Sequence, residues 1–562
     1  MANRGLTEAE VMNMIFSDDV PDLDMSSESE SDSDEELIPQ FVEEIEVPIP
    51  MDEVPPTDEL RWEGAGAYAP DEFTFDGSRS GVQSHLPRTV SEADCFKLLM
   101  TEELVGRITE QTNTFAEQLK ETADVQGKLQ KWVNTTVPEL YTFFVAILLM
   151  ATVKKRALKD YWGTNIMYST PFFFTLFSQD RFLILLRSLH FADNTTLNTA
   201  DLLSKIIPVF SYLTTQFKKV FTPFQNLCID ESLMLWKGRL RFRQYIPSKR
   251  HRFGIKFFIL CDVKTSYVQD LIIYTGSPTD IVNIDGLGVS GSVVISMLGD
   301  YLGKGHVLYV DNWYSSPTLF LYLMKRRTGA CGTVRANRKG MPTFPSKMRK
   351  SDVEFKRAGQ LLAVKWHDKR DVHVLSTVSK AVMADSDKVD YMTGQRKSKP
   401  SCVLDYNKHM GAVDRFDMRN SFVECTRKSL KWYKKVFFHL IDCCVHNAQI
   451  VYQQALGKVI RPQAFRDNLM RQLLEQYHTP RHASTAGRPS MDHPLRLTAR
   501  HFPSDVLQTD AQGKSTRRHC KVCLHGTRRP RQRKLTRVFC APCNTALCAT
   551  PCFAEFHSLK HY

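Results

Sequence analysis

The 562-residue sequence has no apolar run long enough to cross a bilayer. The longest, Leu140 to Val153, falls short of the roughly 20 residues a spanning helix needs. No signal peptide opens it, since Met1 to Glu10 is polar and acidic. Basic residues are almost missing from residues 1–60, where Arg4 stands alone against 19 acids. A spread disulfide framework is lacking too. Eight of the 14 cysteines are single or adjacent (Cys443-Cys444), which fits reduced, buried thiols. There is no internal repeat. These absences argue against a membrane protein, a secreted disulfide scaffold and a solenoid.

What is present is a strongly basic body. Outside the acidic first 60 residues, 73 bases face 43 acids. Such a surplus suits a polyanionic partner, most often nucleic acid. The length calls for several domains.

Residues 1–90 read as a disordered acidic tail. Ser26-Ser-Glu-Ser-Glu-Ser-Asp-Ser-Asp-Glu-Glu36 cannot bury enough apolar surface to order itself. Residues 91–225 read as helices, with apolar spacings of three and four in 92–118, 137–153, 179–191 and 202–221. Residues 226–335 read as α/β. Residues 336–400 carry lysine-rich turns and a hairpin-like pair, 361–366 with 372–378, and suggest an inserted subdomain. The acid theme returns over 401–423, and helix resumes over 424–480. Residues 481–518, rich in Pro, Arg, Ser and Gly, read as a linker before a cysteine module at 519–562.

Three acids draw attention within this frame. Gly305-His-Val-Leu-Tyr-Val-Asp-Asn-Trp-Tyr-Ser-Ser316 predicts a short buried strand ending on Asp311. Gln225-Asn-Leu-Cys-Ile-Asp230 has the same form, and Asp414 lies in His409-Met-Gly-Ala-Val-Asp-Arg-Phe-Asp417. Acids at strand ends stand where an α/β sheet opens to ligand. Alone, Asp311 also suits a helix cap. Together, three carboxylates suffice for Mg²⁺ (or Mn²⁺), whose remaining ligands are water or substrate phosphate.

Basic segments follow each acid. They are Arg239, Arg241, Arg243, Lys249, Arg250 and Arg252 after Asp230. After Asp311 come Arg335, Asn337, Arg338 and Lys339, and after Asp414 come Arg427, Lys428, Lys431, Lys434 and Lys435. Cations around a metal site suit a nucleic-acid backbone; singly, each cluster is a solvated face.

The C-terminal module carries Cys520-x2-Cys523, Cys540-x2-Cys543, Cys548-x3-Cys552, then His557 and His561. Thiolate pairs at this spacing fit tetrahedral Zn²⁺, and eight candidate ligands suggest two ions, cross-braced. The eighth ligand is either His525 or His561. Arg528, Arg529, Arg531, Arg533 and Lys534 lie between the first two pairs and suit DNA phosphate or nuclear import. A protein-binding RING or PHD module is the competitor, but the final RING Cys-x2-Cys is missing.

The long motifs resemble one family. Asn226-Leu-Cys-Ile-Asp-Glu-Ser-Leu, Lys237-Gly-Arg, Tyr245-Ile-Pro-Ser-Lys-Arg and Phe253-Gly-Ile-Lys256 resemble the first catalytic block of piggyBac-type transposases. Tyr309-Val-Asp-Asn-Trp-Tyr-Ser-Ser316 with Cys331-Gly-Thr-Val-Arg-Ala-Asn-Arg-Lys339 resembles the second, and Asp405-Tyr-Asn-Lys-His-Met-Gly-Ala-Val-Asp-Arg-Phe-Asp417 the third.

The resemblance implies a ribonuclease H-like core (226–335 and 401–423) interrupted by an insertion domain. It implies a helical dimerisation and DNA-binding domain on both flanks and a zinc-binding end module. It further implies a nuclear homodimer that cuts and pastes double-stranded DNA at TTAA targets through hairpinned transposon ends. Asp230, Asp311 and Asp414 match the family's metal-binding triad, and Asp417 a further acid kept beside it. Trp432 matches a tryptophan placed at the hairpin end, where it would stack on a base; the alternative is a core aromatic. Cys520, Cys523, Cys540, Cys543, Cys548, Cys552 and His557 match the terminal module.

Two other readings stand beside this one. The first is a domesticated DNA-binding protein that no longer transposes. The second, a dinucleotide-dependent oxidoreductase, rests on Gly286-Leu-Gly-Val-Ser-Gly291. It is discounted because Ser277 to Asp285 makes a poor strand and no second βαβ half follows.

Overall fold

The computed structural model describes residues 54–479, apart from 56, 58–59, 85, 88, 122–127, 199, 248–251, 390–393, 395 and 424–430, then 501–506, 516–559 and Tyr562. Residues 1–481 form one compact unit and 482–562 another.

The first unit is built on a mixed ten-stranded sheet. Its strands are β1 (Glu63–Gly64), β4 (Asn226–Leu235), β5 (Gln244–Tyr245), β6 (Phe253–Asp262), β7 (Val268–Ile273), β8 (Val307–Val310), β9 (Gly329–Thr333), β10 (Val353–Ala358), β11 (Leu361–His367) and β12 (Asp371–Ser376). Two further strands, β2 (Gly81–Val82) and β3 (Phe221–Thr222), pair with each other outside it. The order is β1-β10-β11-β12-β9-β8-β4-β6-β5, with β7 beside β6. β4, β8 and β9 run parallel and the other pairs antiparallel. β6 is apolar along both faces, as a central strand must be to be covered on each side.

Helices α1 (Glu92–Lys97), α2 (Glu102–Glu121), α3 (Val137–Thr152), α4 (Phe172–Leu176), α5 (Gln179–Ser188) and α6 (Ile207–Val220) precede β4. Thr136 caps α3 by accepting from the Glu139 amide, Pro138 fits its first turn, and its nearly unbroken apolar sequence buries it. α7 (Gly288–Leu298) and α8 (Pro317–Lys325) join the parallel strands, with Ser316 capping α8. The hairpin β13 (Met383–Val389) and β14 (Arg396–Pro400) leads into α9 (Ser401–His409) and α10 (Ala412–Val423). α11 (Trp432–Leu456) is buried from Tyr433 to Val451 and ends at left-handed Gly457 (φ 62°), followed by α12 (Pro462–Tyr477).

Two cores fill the two sides of the sheet. One packs Leu227, Ile229, Leu308 and Val310 against α7 and α8. The other packs Cys228, Tyr309 and Cys331 against the helices of both flanks.

Three predicted boundaries change. Trp62 donates to the Gly340 carbonyl at 2.9 Å, Tyr68 to that of Gln360 at 2.7 Å, and β1 pairs with β10, so the end of the predicted 1–90 tail is bound to the sheet. The predicted insertion at 336–400 extends that same sheet, because β12 pairs with β9. β4 does not stop at Asp230; β6 pairs with it as far as Leu235, which places Asp230 mid-strand.

The second unit holds β15 (Pro503–Asp505), β16 (Arg518–His519), α13 (Lys521–His525), β17 (Leu535–Thr536), β18 (Val538–Cys540), β19 (Thr545–Ala546) and α14 (Cys552–Ser558). β15 pairs with β18, so residues predicted as linker take part in this fold.

Candidate active site and metal clusters

Register brings the first two acids together. The last β4–β8 pair is Ile229 with Val310, so Asp230 and Asp311 follow side by side, about 5 Å apart at their backbones. Alternation puts both on the side of Cys228 and Tyr309.

α10 packs on this side, against β4 and β6. Asp417 Oδ1 accepts from Ser232 Oγ at 2.6 Å, and Cys228 Sγ lies 2.9 Å from the Met410 carbonyl. These contacts seat the start of α10, where Asp414 stands exposed in the first turn. The carboxylates share a sheet face but are not drawn into one tight cluster. Among the described residues, only two groups of three or more His, Cys, Asp or Glu side chains gather their ligand atoms within 4.8 Å, and both lie in the C-terminal unit.

The Asp311 carboxyl accepts the Trp313 amide at 2.9 Å, and Ser315 donates to the Asp311 carbonyl at 2.9 Å. Burial raises the Asp311 carboxyl above its usual range; the charge of Glu231 adds to this, while the Trp313 amide and Lys256 oppose it. The turn is pressed from behind. A Cβ on Gly332 would meet Ser315 Oγ at 2.3 Å and the Val310 carbonyl at 2.5 Å. Glu231 and Lys256 were not singled out as site residues, although both lie in the quoted motifs. Lys256 Nζ sits 4.8 Å from the Trp313 ring and 4.7 Å from Phe258.

The predicted DNA contacts divide. Arg239, Arg241, Arg252, Arg335, Asn337 and Lys339 are exposed. Arg338 is half-buried and donates to the Asn312 carbonyl at 3.0 Å, and Arg335 Nε donates to Asn312 Oδ1 at 3.3 Å, so both brace the Asp311 turn. Lys249, Arg250, Arg427 and Lys428 lie outside the described residues.

Lys431 and Trp432 are half-buried at the start of α11; Trp432 packs edge-on against Phe242 at 5.3 Å, as a core aromatic does. Lys434 and Lys435 are buried, contrary to the expected surface role. Lys434 Nζ donates to the Leu186 and Arg187 carbonyls at 3.1 and 2.7 Å, which satisfies the C-terminal end of α5. Arg528, Arg529, Arg531, Arg533 and Lys534 are exposed, with Arg529 paired to Glu555.

The cysteines form two clusters. Cys520, Cys523, Cys548 and Cys552 make one; His501, Cys540, Cys543 and His557 make the other. Cys523 Sγ is 3.9 Å from Cys548 Sγ and 3.6 Å from Cys552 Sγ. His501 Nδ1 is 3.4 Å from both Cys540 and Cys543, and His557 Nε2 is 3.5 Å from Cys543. A tetrahedral ion with Zn–S near 2.3 Å and Zn–N near 2.0 Å sets ligand edges of about 3.5–3.8 Å. Both clusters fit such an ion. Along the chain the ligands interleave, as the cross-brace expectation requires.

The expected eighth ligand is corrected. His525 is exposed and belongs to neither cluster, and His561 lies outside the described residues. His501 takes the position. Its ring Nδ1 sits 39 and 42 residues before its thiol partners, beyond any local spacing rule. The glycine-rich decoy also dissolves, because β7 ends at Ile273 and no strand runs into Gly286.

The chain is thus a mixed α/β protein with carboxylates on neighbouring parallel strands and a compact cysteine-rich end unit. A family model described as transposase IS4 matches residues 91–449. The human piggyBac transposable element-derived protein 2 is 23% identical over 395 residues, 67% of this chain and 64% of the relative's own length. The human piggyBac transposable element-derived protein 3 is 23% identical over 446 residues, 76% of this chain and 71% of the relative. A cryo-EM structure of a piggyBac transposase synaptic complex with hairpin DNA superposes with a TM-score of 0.64 at 24% identity, covering 83% of this chain and 97% of that one. The chain belongs to the IS4 transposase family, in its piggyBac-type group. Among the described residues no helix is long and apolar enough to cross a membrane.

Proposed function

We propose that this chain is a cut-and-paste DNA transposase with a ribonuclease H-like core. It cleaves transposon ends through hairpin intermediates and joins them to TTAA targets, acting as a nuclear homodimer. The observation that carries this reading is the side-by-side register of Asp230 and Asp311, with the helix bearing Asp414 and Asp417 docked on the same sheet face.

Asp230, Asp311 and Asp414 would hold Mg²⁺ or Mn²⁺, which when bound supplies charge stabilisation at the scissile phosphate and activation of the attacking oxygen. The chain's own work is positional. Ser232 and Asp417 fix α10 against β4; Arg335, Arg338 and Gly332 hold the Asp311 turn. Arg239, Arg241, Lys339 and the loop 528–534 offer exposed charge for phosphate. Zn²⁺ in the two end clusters would fold the unit that presents that loop.

Asp230→Asn and Asp311→Asn should each abolish excision of a cognate element while binding to its ends stays within about twofold of wild type. Retained excision in either variant removes the assignment. Loss of end binding together with excision would instead point to misfolding, which a melting curve on the same variants detects.

A second reading, a domesticated DNA-binding protein, draws on the names of the human relatives, which are element-derived proteins. End binding by wild type without excision of any cognate element separates the two.

A further inference from the structure

The row that begins at Asp230 and Asp311 continues across the sheet. Val310 pairs with Gly332, so Thr333 stands level with Asp311 on the next strand, and Thr333 pairs with Val374 on the one after. At about 5 Å per strand, Val374 lies roughly 10 Å from Asp311. Val374 shares a core with Cys228, Tyr309 and Cys331, which puts it on the carboxylate side.

At Val374 the surface opens into a cleft of about 280 Å³. Trp366, Val372 and Val374 floor it, and α9 walls it with Tyr406, whose hydroxyl reaches Thr333 Oγ1 at 3.4 Å. Lys369 and Arg370 stand exposed on the β11–β12 turn, and Lys399 holds its Nζ 5.3 Å from the Trp366 ring. Among the described lining residues Asp368 is the one carboxylate, so three cations face one acid.

An apolar floor beneath three cations suits a group with a flat ring and a phosphate. The volume lies just under the roughly 300–1,000 Å³ of sites for drug-sized ligands and leaves no room for a duplex.

We propose that this cleft receives one unpaired nucleotide of the DNA strand that lies over the carboxylates. Arg370 and Lys399 grip its phosphate, and Tyr406 spans the short distance between the cleft and Asp311. The inference rests on the DNA-processing reading above and adds to it a site for single-stranded DNA. None of Trp366, Lys369, Arg370 or Lys399 belongs to the basic clusters that follow the three acids in sequence. Strand register brings Trp366 and the β11–β12 turn to the row, and Lys399 comes from β14, which packs on α9.

The test uses the full chain with a mixed-sequence 20-base-pair duplex, either blunt or carrying a four-nucleotide 3′ tail. Wild type should bind the tailed duplex about tenfold more tightly than the blunt one, the scale expected for a captured base and its phosphate. Arg370→Ala with Lys399→Ala should erase that difference and leave blunt-duplex affinity and the melting temperature unchanged. A tail bearing 5-iodouracil should crosslink to peptides containing Trp366 or Tyr406. If the double variant keeps the full preference, or the crosslink maps only elsewhere, the cleft is not the site. If wild type binds neither duplex, the DNA-processing reading fails as well.

Discussion

Lys434 illustrates how a residue's burial decides its role. Its stem runs inside the helical core and its ammonium ends on two carbonyls that close α5. Lys434→Ala should therefore cost roughly 2 kcal/mol of stability, the range for hydrogen bonds from a charged donor, with DNA affinity unaltered. Chemical denaturation and fluorescence anisotropy on the same sample check both halves. From the sequence, Lys428 to Lys435 read as one basic cluster, because composition does not say which positions of a helix face inward. The place of Asp311 just past a strand was legible, since an acid after a run of apolar β-formers is a local signal. His501 was not: the bond lies in the fold, with no spacing to mark it.

At the scale of elements, α11 sets the acid stability of the first unit. His439 and His446 on α11, and His190 beside it, are buried, and desolvation holds each near pH 4, below the usual 6.5. The unfolded chain takes up these protons first, so stability is full above about pH 6.5 and falls as the pH drops toward 4. Each ring contributes about 2–3 kcal/mol to that loss by pH 4.5. Melting temperatures measured from pH 7.5 to 4.5 should show the decline, and His446→Asn should flatten it; a flat wild-type profile would contradict this. Most long helices were readable from periodicity. The union of β12 with β9 was not, because pairing between residues as far apart in the chain as Thr333 and Val374 leaves no trace in either strand.

At the scale of the whole molecule, the two units differ in what folds them. The first has apolar cores on both sides of its sheet. The second has a small core in which Cys520, Cys540, Cys548 and Cys552 are themselves buried members, so ions held at the two clusters would couple their binding to folding there. Purified protein should carry two Zn²⁺ per chain. His501→Ala should lower that toward one, and His525→Ala should keep both, as read by elemental analysis. Strong chelation should unfold residues 501–562 and leave the first unit's melting transition in place. The interleaved order of ligands has one more consequence. Each cluster gathers side chains from before and after the arginine-rich loop between Cys523 and Cys540, so an ion in it would clasp both sides. A protease that nicks that loop would therefore free neither piece, and the two halves would part only when the metal is stripped.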